Sequence, residues 1–254
     1  MESRTPPFVD DADPGFLMDR SAAVRLTQTA AERHVWLLEG LSMRRYAWLI
    51  AAAMAGHATA AHASDDIFEL WMNPSVEADI GRGRAELETA HRIRDGREDT
   101  HYVRLWYGQP IADHVTLAGG VEQRFTGSVE ERRLLQQLSY RSGILRGRTR
   151  IEQRFVEGDA KMGVRLRQRL GMSVPVGHAG RLALVANAEG FITLRATTAL
   201  GQTGLTGLRT VIGVDYAVSD RIGIGLGYLR AHEFRRGAAD RVGHAPLLSI
   251  AWSI

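Results

Sequence analysis

From Arg146 to Arg154 every even position carries a charge: Arg146, Arg148, Arg150, Glu152 and Arg154. The odd side holds Leu145, Thr149, Ile151 and Phe155. After Val156-Glu157-Gly158-Asp159-Ala160 the alternation resumes, with Arg165, Arg167 and Arg169 against Val164, Leu166 and Leu170. A period of two is the mark of strands, because successive side chains leave opposite faces of the pleat. A helix would scatter these arginines around its circumference. The stretch therefore reads as a hairpin closed by an acidic glycine turn, with guanidinium and carboxylate groups on one face and apolar groups on the other.

The same pattern recurs along the chain. Arg84 to Arg94 sets Arg84, Glu86, Glu88, Arg92 and Arg94 against Leu87 and Ile93, and His101 to Gly108 sets Arg104 against Val103, Leu105 and Tyr107. Val115 to Thr126 places Leu117, Val121 and Phe125 opposite Glu122 and Arg124, and Glu131 to Arg141 places Leu134, Leu138 and Tyr140 opposite Glu131, Arg133 and Gln137. Arg181 to Arg195 carries Glu189 opposite Leu182, Leu184 and Ile192. The runs Leu205–Ala217 and Arg221–Glu233 are richer in glycine, and the last run aligns Leu248, Ile250, Trp252 and Ile254. In a soluble sandwich the charged face would meet water and the apolar face a core. Long runs, both charge signs on one face and the leader described next favour a transmembrane barrel with its charged face inward. The expected fold is all-β: an antiparallel transmembrane β-barrel of about ten strands, twelve being possible.

Residues 1–42 read as a disordered or mis-annotated extension, with Pro6, Pro7, Pro14 and an Asp10, Asp11, Asp13 cluster. Residues 43–63 read as a signal peptide: Arg44 and Arg45, an apolar run from Tyr46 to Gly56, then Ala61-His62-Ala63. The apolar run is too short to cross about 30 Å of hydrocarbon. Residues 64–254 are the expected barrel. The connections alternate between a longer, more charged set, beginning with Asp95–Thr100, and a shorter set, which implies long outer loops and both termini in the periplasm. Ile67 to Ile80, interrupted by Asn73-Pro74, is then left as a lead-in or half of an additional pair.

Several of these segments together resemble the domain-of-unknown-function 2490 family of bacterial outer-membrane proteins. They are Trp71, Glu131-Arg132-Arg133 with Gln136-Gln137-Leu138, the R-T-R-I-E-Q-R run from Arg148 to Arg154, Arg165-Leu166-Arg167, and Glu189 before Phe191. Family members commonly carry E-H-R where this chain has Glu131-Arg132-Arg133. The resemblance implies a barrel in the outer membrane and assigns no activity.

The candidate functional residues are the expected lumen lining: Glu86, Glu88, Glu122, Arg124, Glu131, Arg133, Arg148, Arg150, Glu152, Arg154, Arg165, Arg167 and Glu189. They fill a narrow barrel as a salt-bridged core or line a constriction for an anion or small polar solute. A barrel of about ten strands leaves little free space, which favours the filled core. The alternative is a lipid or peptide hydrolase at the barrel rim, built from Asp95, Asp99 and His101, but no serine elbow or catalytic pair is recognisable. Histidine spacing gives no metal motif, and no cofactor is expected. With no cysteine among 254 residues, thiolate chemistry is excluded. Net charge is only +3 and the arginines are spread along many strands, so nucleic acid is not an expected partner. The expected partners are outer-membrane lipids and, through the final strand, the barrel assembly machinery; any ligand is unknown.

Overall fold

The computed structural model describes residues 64–177 and 180–254, so the expected extension and signal peptide lie outside the described residues. The described chain forms eleven strands: β1 (Ser64–Ile80), β2 (Gly83–Arg94), β3 (Thr100–Ala112), β4 (Val115–Thr126), β5 (Val129–Ser142), β6 (Leu145–Val156), β7 (Gly163–Val176), β8 (Leu182–Arg195), β9 (Gly204–Ala217), β10 (Ile222–Glu233) and β11 (Asp240–Ser253). Each pairs antiparallel with its sequence neighbour, and β1 pairs parallel with β11 to close the barrel. A closed barrel rules out the soluble sandwich.

The expected count of about ten is corrected to eleven. The stretch treated as a lead-in is a 17-residue strand, β1. Its proline is accommodated because the ladder to β2 skips Asn73 and Pro74 and resumes in the same register at Ser75, while Pro74 keeps its place opposite Ile250 of β11. An odd count has a topological consequence. Ser64 lies beside Asp240 and Ile254 beyond Ser253, so the described chain enters and leaves at opposite ends of the barrel, contrary to the expectation of both termini at one end.

The two ends differ in their connections. One end carries 95–99, 127–128, 157–162, 196–203 and 234–239; the other carries 81–82, 113–114, 143–144, the connection from β7 to β8, and 218–221. The connection between β3 and β4 is only two residues long, because β3 continues through a bulge at Pro110 and Ala112. His114 turns the corner at φ 63°, a left-handed conformation that Gly143 adopts in the equivalent turn.

Parity decides inside from outside. Arg104, Glu122, Arg133, Glu152, Arg165 and Arg167 are buried, while Leu105, Val121, Leu134, Ile151 and Leu170 on the other face are between 42% and 57% exposed. This reverses the usual burial of apolar and exposure of charged side chains.

Candidate functional site

The lumen is filled from its walls inward. Of the thirteen expected lining residues, Glu88, Glu122, Arg124, Glu131, Arg133, Arg148, Arg150, Glu152, Arg165, Arg167 and Glu189 are buried; Glu86 and Arg154 are half-buried. Pairing register brings arginines directly opposite one another: Arg133 and Arg154, Arg150 and Arg167, Arg148 and Arg169. Directly opposed like charges are destabilising. Each pair is bridged by one glutamate. Glu131 accepts Arg133 Nη2 and Arg154 Nε, both at 2.5 Å. Glu152 accepts Arg167 Nη1 at 2.8 Å and lies 3.9 Å from Arg150 Nη1. Glu189 accepts Arg148 Nη2 at 2.5 Å and lies 3.6 Å from Arg169 Nε. Guanidinium planes suit this sharing, since each offers several donors in a fixed fork.

These pairs join into a circuit around the lumen. Arg92 stacks on Trp71 at 4.1 Å and lies 5.6 Å from the Tyr102 ring, which Arg104 covers at 4.6 Å. Arg104 donates to Glu88 at 2.9 Å and to Glu122 at 2.7 Å. Glu122 lies 3.4 Å from Arg133, and Arg133 lies 3.8 Å from Glu152. Glu152 is held twice by Arg165, at 3.0 and 2.6 Å, and leads through Arg167 to Glu189 at 2.6 Å. Arg209 lies 3.5 Å from Glu189 and 4.9 Å from the Trp71 ring, closing the loop. That last contact passes over β10 and β11, which place small and apolar groups in the lumen. Below it Trp71, Val185, Val211, Leu229, Ala231, Ala245 and Leu247 form an apolar cluster.

Beyond the residues expected from the sequence, Glu69, Arg92, Arg94, Arg104, Arg169 and Arg209 are also buried in the lumen. So are the aromatics Trp71, Tyr102, Trp106 and Phe191, on which arginines stack: Arg150 over Trp106 at 4.6 Å, Arg167 over Phe191 at 4.8 Å. The signal was parity, since Tyr102 and Trp106 alternate with Arg104 and Phe191 follows Glu189 by two. Among the described residues eleven arginines and six glutamates are buried, an excess of five guanidinium charges.

Burial is uneven along the axis. At the long-loop end Thr100, Thr126, Thr193 and Thr206 are buried, joined in two hydroxyl pairs at 3.0 Å. At the short-turn end the inward positions Glu77, Glu86, Gln137, Ser139, Arg141, Arg146, Ser173 and Asp215 are half-buried. The lumen is thus a cup, closed through its middle and loop end and wetted at its turn end.

The rim residues Asp95, Asp99 and His101 are not assembled into a site. His101 points outward and meets His91, Nδ1 to Nδ1, at 2.8 Å, while Asp99 accepts the Arg94 backbone N–H at 3.0 Å.

The model for the family described as protein of unknown function (DUF2490) matches residues 68–242, which contain every member of the circuit from Trp71 to Arg209. The chain belongs to this family. An uncharacterised protein of Methylorubrum extorquens is 28% identical over 204 residues, covering 74% of this chain and 89% of the relative. Among solved structures, a NanC porin is similar with a TM-score of 0.47 and 11% identity, over 68% of this chain and 93% of that one. The DUF2490 match spans β1 to the start of β11, so family membership and barrel closure concern the same residues.

Proposed function

We propose that this DUF2490 protein is exported by its leader, residues 43–63, and resides in the outer membrane as a barrel with a sealed, salt-bridged lumen. Its role on this reading is structural. One observation carries it: the outward face is predominantly apolar, and the charged residues behind it are shut away from solvent through the middle and loop end of the lumen. Outward aromatics frame that face. Tyr107, Tyr140, Tyr216 and Trp252 stand toward the short-turn end, and Phe68, Phe125 and Phe155 toward the long-loop end. Two aromatic girdles around an aliphatic belt match the demands of a bilayer with its two interfaces. Outer-membrane lipids are the partners this surface fits, with the barrel assembly machinery during insertion.

Membrane fractionation with circular dichroism tests the location, and recovery as a soluble periplasmic protein overturns it. The role is tested by reconstituting the mature barrel in planar bilayers at several salt concentrations. Silence supports the sealed barrel. A steady current supports a second reading, a narrow anion path, which the excess of buried arginine favours.

A further inference from the structure

We infer that the flank made by β4, β5, β6 and β7 is the contact face for a second copy of this chain within the membrane; the inference rests on the membrane reading above. Outward positions on most of the barrel are apolar, without exception from Leu70 to Ile80 on β1 and from Leu184 to Leu194 on β8. On the flank they include Gln136, Thr149, Gln153 and Gln168. Thr149 and Gln168 satisfy each other, Thr149 Oγ1 donating to Gln168 Oε1 at 2.6 Å.

Gln136 has no such partner among the described residues. It is exposed, and it lies four residues from Arg132, which bonds Gln123 at the loop-end border, and four from Tyr140 in the turn-end girdle. That places its amide at the middle of the apolar belt. Hydrocarbon offers a primary amide nothing to bond with, and four-residue separation keeps water at both borders out of reach.

A primary amide offers two donors and a carbonyl acceptor, so it is complementary to itself. A two-fold axis along the membrane normal keeps every residue at its own depth and makes the interface isologous. Gln136 then meets Gln136 of the second copy. Gly119 faces outward directly opposite Gln136, and a Cβ there would meet nothing nearer than the Leu135 carbonyl oxygen at 3.9 Å. No crowding inside the barrel accounts for that glycine, whereas a notch beside the amide lets a second barrel approach closely.

The chain has no cysteine, so single-cysteine variants report one contact each. In native membranes, oxidation of Gln136→Cys is expected to yield a disulfide-linked dimer of this chain, and Leu226→Cys on the opposite flank is expected to remain monomeric. In detergent, sedimentation equilibrium of the cysteine-free protein is expected to give a dimer whose association Gln136→Leu weakens about tenfold, in line with the strength of side-chain hydrogen bonds in membranes. A membrane-inserted protein that stays monomeric overturns the inference alone. So does equal cross-linking from both positions, cross-linking only to a different protein, or a Gln136→Leu variant that dimerises like the parent. Recovery in the soluble fraction overturns the membrane reading on which the inference stands.

Discussion

The wall from β2 to β9 and the wall of β10, β11 and β1 enclose one lumen and fill it by opposite means. The first presents long charged side chains, eleven buried arginines and most of the six glutamates, held by shared carboxylates and aromatic faces. The second presents Leu229, Ala231, Ala245 and Leu247, with glycine at 223 and 225, and contributes no charged member to the circuit. The two are complementary in volume. Arginines on every strand would overfill a barrel of this size, and small groups everywhere would leave it hollow. Trp71, covered by Arg92 at 4.1 Å and by Arg209 at 4.9 Å, is where the walls meet. The charged wall specifies which side chains face which, whereas the apolar wall only has to be small enough.

The largest expected effect lies in the charged wall. Glu152 is held by Arg165 and Arg167 and neighbours Arg133 and Arg150, so Glu152→Gln leaves four guanidinium groups around a neutral amide. Removing one partner from a buried pair typically costs about 3 to 5 kcal/mol. Urea unfolding of the refolded barrel should show this loss for Glu152→Gln and almost none for the exposed loop variant Glu157→Gln. Similar mild effects would mean that solvent screens the arginines and the lumen is open. In that case Glu152→Gln should also raise anion current.

Next comes the apolar wall. Leu229→Ala removes a fully buried side chain beneath the Arg209–Trp71 contact. The expected loss is about 2 to 5 kcal/mol, depending on how far the site collapses. The same unfolding measurement checks it. A loss below about 1 kcal/mol would show that this wall is loosely packed and that charge alone holds the lumen shut.

Much of this was legible in the residues. Even positions in β6 and odd positions in β7 carry arginine, and that parity marks the inward face. What parity does not provide is register. Glu152 serves Arg165 and Arg167 because β6 and β7 pair with Glu152 opposite Arg165, and sequence spacing alone does not fix that offset. The aromatic members were hidden for a different reason. Tyr102 and Tyr107 sit on one strand five residues apart, one inside against Glu88 and one exposed on the outer face, and composition treats them alike. β1 was obscured by Pro74, a residue that argues against a doubly paired strand until the skipped ladder positions are seen.

Exchanging the faces tests whether both walls belong to the same inside. Ile151 lies between Arg150 and Glu152 in sequence but is 42% exposed on the outer surface. Ile151→Arg should cost about 2 to 4 kcal/mol if the residue lies near the bilayer midplane, measured by unfolding from lipid vesicles. Its effect should shrink in detergent micelles, where a charge finds water more easily. A variant that is neutral in vesicles, set beside a strongly destabilised Arg150→Leu, would mean that the outer face is not lipid-exposed.

The smallest effect is expected at the turn end, where the charged wall becomes wet. Arg84 pairs with Asp79 at 2.9 Å and Glu77 at 3.4 Å, the same chemistry as the circuit, yet its side chain is 45% exposed. Water already solvates the guanidinium there, so neither the desolvation penalty nor the Coulomb gain of the buried pairs applies in full. Exposed pairs contribute roughly 0 to 1 kcal/mol and are screened by salt. Arg84→Gln should therefore lower the unfolding free energy by less than about 1 kcal/mol, and the difference should fade as ionic strength rises. Glu152→Gln should keep its deficit at high salt, because ions do not reach a carboxylate with no exposed surface. If Arg84→Gln were as damaging as Glu152→Gln and equally insensitive to salt, the turn end would be as dry as the middle. The lumen would then be a plug along its whole length rather than a cup.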